Sequence, residues 1–396
     1  MSLNETPRGS RLHIGLYGKR NSGKSSLVNA LTNQEISVVS DVAGTTTDPV
    51  YKSMEIHGIG PVVFIDTAGF DDEGELGGKR IEQTKNALEK TDIAILIFSS
   101  EPDSSDKEWL ALFDENSVPF IPVINKTDVI ADVDKLKSEV EAVCQKPPIL
   151  LSARTGEGIE KLRARLIDSV PDDYGQRTIT GNLCSEGDLV LLVMPQDIQA
   201  PKGRLILPQV QTLRELLDKK CLVMSCTTDK IDETLKALSS PPKLIITDSQ
   251  CFKTVYGKKP ELSRLTSFST LFAKYKGDID YFVNSTEVFD KLNENSRILI
   301  AEACTHVPLK EDIGREKLPR ALRARYGQNL YIENVTGQNF PDDLSSYDLI
   351  IQCGACMFNR KYVMSRVAAA KAQGVPMSNY GVVLAYLSGI LDKIDY

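Results

Sequence analysis

No stretch of the 396-residue chain approaches the roughly 20 consecutive apolar residues that a membrane-crossing helix needs, so no membrane partner is expected. The segment Met1–Arg11 is polar and has no apolar h-region, which predicts no secretory signal and a cytoplasmic location. Positive charge is not in excess either. Lys and Arg number 47 against 54 Asp and Glu, interspersed, for a formal net charge of -7. That balance offers no electrostatic footprint for nucleic acid. There is no internal repeat of fixed period and no low-complexity tract. Eight cysteines in a chain without an export signal predict reduced thiols, metal ligands or core residues, not a disulfide framework. At about 150 residues per domain, the length allows two or three domains.

What is present begins with Gly18, Lys19, Arg20, Asn21, Ser22, Gly23, Lys24 and Ser25, which fit GxxxxGK[ST] at every specified position. The apolar run 12–17 before it has strand length, and Ser25, Ser26 and the residues to Leu31 have helical spacing, the context this phosphate loop requires. A Gly-rich turn lets successive backbone N–H groups point at phosphate oxygens. Lys24 is expected to reach the outer phosphates and Ser25 to place its hydroxyl on magnesium.

Three further loops follow expected strands. Thr45 and Thr46, in a polar segment after Val39, are candidates to close the magnesium shell and sense the γ-phosphate. Asp66 and Gly69 follow the strand 62–65; the carboxylate can hold magnesium through water and the glycine N–H can meet the γ-phosphate. After the run 120–124 come Asn125, Lys126 and Asp128. A carboxylate at Asp128 accepts two hydrogen bonds from guanine N1–H and its amino group, a donor pair adenine lacks. Lys126 is expected along the base, Asn125 as a brace between loops, and the backbone of Ser152, Ala153 and Arg154 near guanine O6. Alternating strands and helices predict a P-loop domain over 1–172 with a mostly parallel sheet and GTP at the strands' carboxyl ends.

Residues 12–170 resemble the translation-factor-related small GTPases, and the Asn21 and Gly-Thr-Thr positions resemble the TrmE/Era branch. That resemblance implies a potassium ion on Asn21 whose charge stands in for an arginine finger. Thr47 departs from the branch, where arginine is usual. Phe70 follows Gly69 where many GTPases carry a water-orienting glutamine, which predicts slow intrinsic hydrolysis. The attacking water then falls to backbone, to potassium or to an acid among residues 71–75.

Past the break at Pro171, the runs 189–193, 221–224 and 244–247 alternate with helical patterns. They predict a small α/β association domain over 178–262, its sheet covered by helices or a second subunit. Cys221, Cys226 and Cys251 there read as buried thiols.

The last region, 263–396, repeats one arrangement. A strand at 297–301 precedes Cys304 and His306, and a strand at 348–351 precedes Gln352, Cys353 and Cys356. If these strands are parallel neighbours, both loops leave one sheet edge and three thiols and an imidazole can converge. Such a set suits an iron-sulfur cubane with His306 on the remaining iron, or a Cys₃His zinc site.

The whole pattern resembles the FeFe-hydrogenase maturation GTPases of the HydF family, with Gln352 standing where that family usually has histidine. The resemblance implies a 4Fe-4S cluster on Cys304, Cys353 and Cys356. It also implies a homo-oligomeric scaffold, a dimer or higher, that receives a di-iron precursor from radical SAM maturases and delivers it to the apo FeFe-hydrogenase. A tRNA-modifying or ribosome-assembly GTPase with a structural zinc is the competing expectation.

Overall fold

Leu12–Tyr17 is buried at every residue and forms β1. It lies inside a six-stranded sheet of order β2-β3-β1-β4-β5-β6, with β2 at Val50–Ile56, β3 at Gly60–Asp66, β4 at Ile93–Phe98, β5 at Phe120–Ile124 and β6 at Ile149–Leu150. Strand β2 runs antiparallel to β3 and every other pair is parallel. Because strand side chains alternate, β1 serves two cores. Leu12, Ile14 and Leu16 pack with Leu27 and Val28. Tyr17 faces the other way, its ring 4.8 Å from Trp109 and 5.1 Å from Phe113.

The computed structural model describes residues 6–32, 50–67, 83–171, 174–195, 205–303, 312–337 and 339–396. The expected sites at Thr45, Thr46, Gly69, Cys304 and His306 lie outside them, as do Thr47, Phe70 and the acids at 71–75. The chain divides into two compact units, Met1–Tyr174 and Gly175–Tyr396.

The second unit holds two four-stranded, wholly parallel sheets. One has the order β10-β9-β7-β8, built from β7 Leu189–Val193, β8 Leu222–Cys226, β9 Leu244–Thr247 and β10 Arg264–Ser267. Strand β10 lies beyond residue 262, the expected limit of the middle domain, yet pairs with β9 along its length. The other sheet has the order β12-β11-β13-β14, built from β11 Arg297–Glu302, β12 Tyr331–Thr336, β13 Leu349–Gln352 and β14 Met377–Asn379. The helix Phe268–Lys276 belongs to both layers. Phe268, Leu271 and Phe272 enter the core of the first sheet, while Ala273 enters that of the second.

Strands β7 and β9 are almost wholly buried, as continuous Val/Leu/Ile runs require, but β8 is not. Among the described residues it pairs with β7 alone. Leu222 is 61% exposed and Met224 40%, so this edge presents apolar side chains beside open backbone groups, a template for pairing with another chain. Replacing Leu222 and Met224 together by Lys is expected to shift the protein toward monomer in sedimentation equilibrium. An unchanged mass would show that copies associate through other surfaces.

Candidate functional site

Parallel strands send their carboxyl-terminal loops to one edge, and in the first unit this gathers the loops after β1, β3, β5 and β6. The phosphate loop enters the helix Lys24–Thr32. Gly18 has φ +142 and a side chain there would strike the Ile97 carbonyl; Gly23 has φ +91 and a Cβ would lie 2.3 Å from Asn125 Nδ2. Both positions therefore need glycine. Asn21 adopts φ +60 at the loop's exposed tip, a conformation asparagine tolerates better than most residues.

The loop closes around Lys24, whose Nζ donates to the carbonyls of Gly18 at 2.8 Å and Lys19 at 2.9 Å. The helix N-terminus and this ammonium together suit phosphate oxygens. Ser25 Oγ donates to Asp66 Oδ2 at 2.6 Å, bringing two hard oxygen donors together at the end of β3. That donor set fits magnesium, Ser25 ligating it directly and Asp66 through water; the bound ion would neutralise phosphate charge. Thr67 hydrogen-bonds the Leu16 carbonyl at 2.5 Å and ties the start of this loop to β1.

Asn125, 1% exposed, is the brace the sequence predicts. Its Nδ2 donates to the Ser22 carbonyl at 2.9 Å, and its Oδ1 accepts from the N–H groups of Lys126 at 2.8 Å and Ala153 at 3.0 Å. One amide thus joins the phosphate loop, the base-recognition loop and the loop after β6. Asp128 is exposed, with Oδ1 accepting from Ser152 Oγ at 2.7 Å. This bond orients the carboxylate expected from the sequence to face guanine. The side chains of Ser26 and Arg154 are exposed, as is that of Arg20.

Lys19 is turned aside from the loop. Its ammonium lies 2.8 Å from Asp103 and 3.2 Å from Asp106 and donates to the Glu101 carbonyl, so only its backbone serves the phosphate loop. The Lys19 and Ser105 hydrogen bonds hold the Asp103 carboxyl down at about 2. Asp103 also caps the helix Ser104–Glu115.

In the second unit, β11 and β13 are parallel neighbours, with Ala301 opposite Gln352. The condition for convergence is met. The Ala303 N–H donates to Cys353 Sγ at 3.1 Å and the Ala355 N–H does so at 3.4 Å. Cys304, the next residue after Ala303, and His306 lie outside the described residues. Among those described, no group of three or more His, Cys, Asp or Glu is placed to hold a metal. Even so, the donor chemistry of this loop fits an iron-sulfur group: the soft sulfurs of Cys353 and Cys356, and N–H bonds to the sulfur of Cys353. Gln352 is 1% exposed, and among the described residues neither amide atom has a partner. Arg366, also buried, stacks against Phe340 and Tyr362, and among the described residues its Nε and Nη1 find no acceptor.

The other cysteines are quiet. Burial pushes Cys144 up to about 12 and Cys251 to about 11, and Cys221, also at about 11, is raised by burial and by Cys184. The sequence reading missed three groups around the Cys353 loop: Lys276, Arg366 and Tyr380. Burial raises the Tyr380 hydroxyl well above its usual range, with Cys353 and Glu302 adding to it. Lys276 carried one signal, a charge falling on the helical stripe of Phe268 and Phe272.

Comparison with known proteins accords with both units. A family model for the 50S ribosome-binding GTPase matches residues 13–126. The model for the Hydrogen maturase F dimerization domain matches 179–277, and that for the Hydrogen maturase F tetramerization domain matches 280–394. GTPase Der of Wolinella succinogenes is 39% identical over 191 residues, 46% of this chain and 40% of the relative. The tRNA modification GTPase MnmE of Chromobacterium violaceum is 36% identical over 162 residues, 40% of this chain and 35% of the relative. This chain therefore spans less than half the length of either. A crystal structure of Aquifex aeolicus Era bound to GDP.AlF4- aligns with TM-score 0.35 and 18% identity, covering 57% of this chain and 98% of that one.

The first unit is a P-loop GTPase that binds and hydrolyses GTP with magnesium. Its combination with the two following domains is the architecture of a HydF-type hydrogenase maturase GTPase, and those domains make it a homo-oligomer. Among the described residues no helix is long and apolar enough to cross a membrane.

Asn125→Ala removes hydrogen bonds that hold three loops, each worth about 1 kcal/mol net. GTP affinity in a fluorescent-nucleotide titration is expected to fall by roughly 10- to 100-fold. Binding within twofold of the parent protein would show that the loops hold their places without the amide.

Proposed function

We propose that this GTPase carries a 4Fe-4S cluster on Cys304, Cys353 and Cys356 and acts as a cytoplasmic assembly scaffold. Its cargo is a di-iron precursor received from radical SAM maturases and handed to the apo FeFe-hydrogenase. The observation that supports this reading most directly is the N–H bond from Ala303 to Cys353 Sγ, which puts the residue preceding Cys304 against the Cys-x-x-Cys loop. Two thiols from one loop and a third from the neighbouring strand's end suit a cubane, and His306 is the candidate for its remaining iron. GTP is handled within 1–172 and the cluster within 263–396. The segment 178–262, extended to take in β10, is the association domain. Nucleotide state acts as a switch that biases partner binding without chemistry at the cluster.

A structural zinc on the same ligands, in a GTPase of tRNA modification or ribosome assembly, is the second reading. It draws on the names of the relatives and of the 13–126 model, whereas the residues past 178 match hydrogenase-maturase models. The acidic balance also speaks against an RNA substrate.

Anaerobic iron and sulfide analysis with EPR separates the two. The parent protein is expected to be coloured and to hold close to four irons, and Cys304→Ala, Cys353→Ala and Cys356→Ala each to lose most of them. A colourless protein with stoichiometric zinc would establish the second reading. For hydrolysis, the proposal places potassium at Asn21. Single-turnover rates are expected to be at least tenfold higher in potassium than in sodium, and equal rates would remove that ion from the site.

A further inference from the structure

Lys276 ends the helix Phe268–Lys276 and is 2% exposed. Its ammonium donates to three backbone carbonyls of one loop: Ala355 at 3.1 Å, Cys356 at 3.1 Å and Phe358 at 2.7 Å. An ammonium has three N–H donors, the same number as these carbonyls. The Phe272 ring lies 5.7 Å away on the same helix. A lysine buried this deeply against neutral carbonyls is costly to desolvate. Its placement calls for a role.

The loop it holds is itself constrained. Ala355 has φ +45, in the left-handed region that residues with a Cβ seldom occupy. Such a conformation persists when its surroundings over-determine it, and here the Lys276 bond to the Ala355 carbonyl does so. In a trans peptide the carbonyl and the following N–H point opposite ways. Three carbonyls drawn to Lys276 therefore turn the N–H groups of Cys356, Met357 and Asn359 away from it. Among the described residues, none comes within 4 Å of where a Gly354 side chain would sit.

We propose that Lys276 is a positioning residue for the metal centre: it locks the loop from Cys353 to Phe358 in its ligand-presenting shape and sets a fixed positive charge behind it. The consequence for the metal rests on the cluster reading above, whereas the locking does not. A cluster held by thiolates is anionic and becomes more so on accepting an electron. A buried positive charge nearby favours the reduced form and raises the reduction potential.

Two full-length variants separate shape from charge. Lys276→Met keeps the bulk and removes both donors and charge, while Lys276→Gln keeps two N–H donors without charge. In apoprotein hydrogen exchange, amides of residues 353–359 are expected to exchange at least tenfold faster in the Met variant, with the Gln variant between it and the parent, and GTP hydrolysis unchanged. After anaerobic reconstitution, EPR-monitored titration with dithionite is expected to give a lower potential in both variants.

Exchange within twofold of the parent in the Met variant would overturn the locking. A potential unchanged in the Gln variant would overturn the charge role, and the Gln variant alone decides that role should the Met variant fail to fold. Faster exchange in a protein whose parent form takes up no iron would sustain the locking and refute the cluster reading.

Discussion

Parallel strand pairing is the constraint on which both candidate sites depend. In a parallel sheet, every strand delivers its carboxyl end to the same edge, so residues far apart in sequence meet without a dedicated scaffold. In the first unit this brings Ser25 to Asp66, Asn125 to Ser22 and Ser152 to Asp128. In the second it brings Ala303 to Cys353. The buried apolar runs supply the stability, and the polar loops at their ends are left to chemistry.

The nucleotide edge is knit by side-chain amides and hydroxyls, with Asn125 satisfied at both ends, as a buried polar group must be. Among the described residues, the thiol edge keeps polar atoms without a partner, and the nucleotide edge keeps one, Ser22 Oγ. Among the described residues Gln352 shows no partner for its amide, and the Nε and Nη1 of Arg366 show no acceptor. Leaving such groups unpaired costs on the order of 1–3 kcal/mol each.

Much of the nucleotide site was legible because its residues announce themselves locally. A glycine-lysine loop between a strand and a helix, or Asn-Lys-x-Asp after an apolar run, specifies both fold position and chemistry within a few residues. The pairing of β11 with β13 was legible as a condition, since two strands each ending in cysteine have a use for adjacency. Two features were not legible. The exposure of β8 depends on where the other strands lie, and Leu222, Val223 and Met224 read as core in isolation. The grip of Lys276 on carbonyls some 80 residues onward depends on tertiary packing alone, with separations of 79, 80 and 82 positions.

The helix Phe268–Lys276 then explains why the second unit is one body despite its two sheets. Its first turns are fixed by the core of the association sheet, through Phe268, Leu271 and Phe272, and its last residue is fixed on the Cys-x-x-Cys loop. A rigid helix with both ends anchored cannot shift at one end alone, because close-packed cores resist continuous deformation. Arg264 of β10, bonded to Asp395 at 2.7 Å, closes the same circuit through the chain's last residues. The shape of the sulfur-bearing loop is therefore set by the packing of the association sheet as well as by its own sequence.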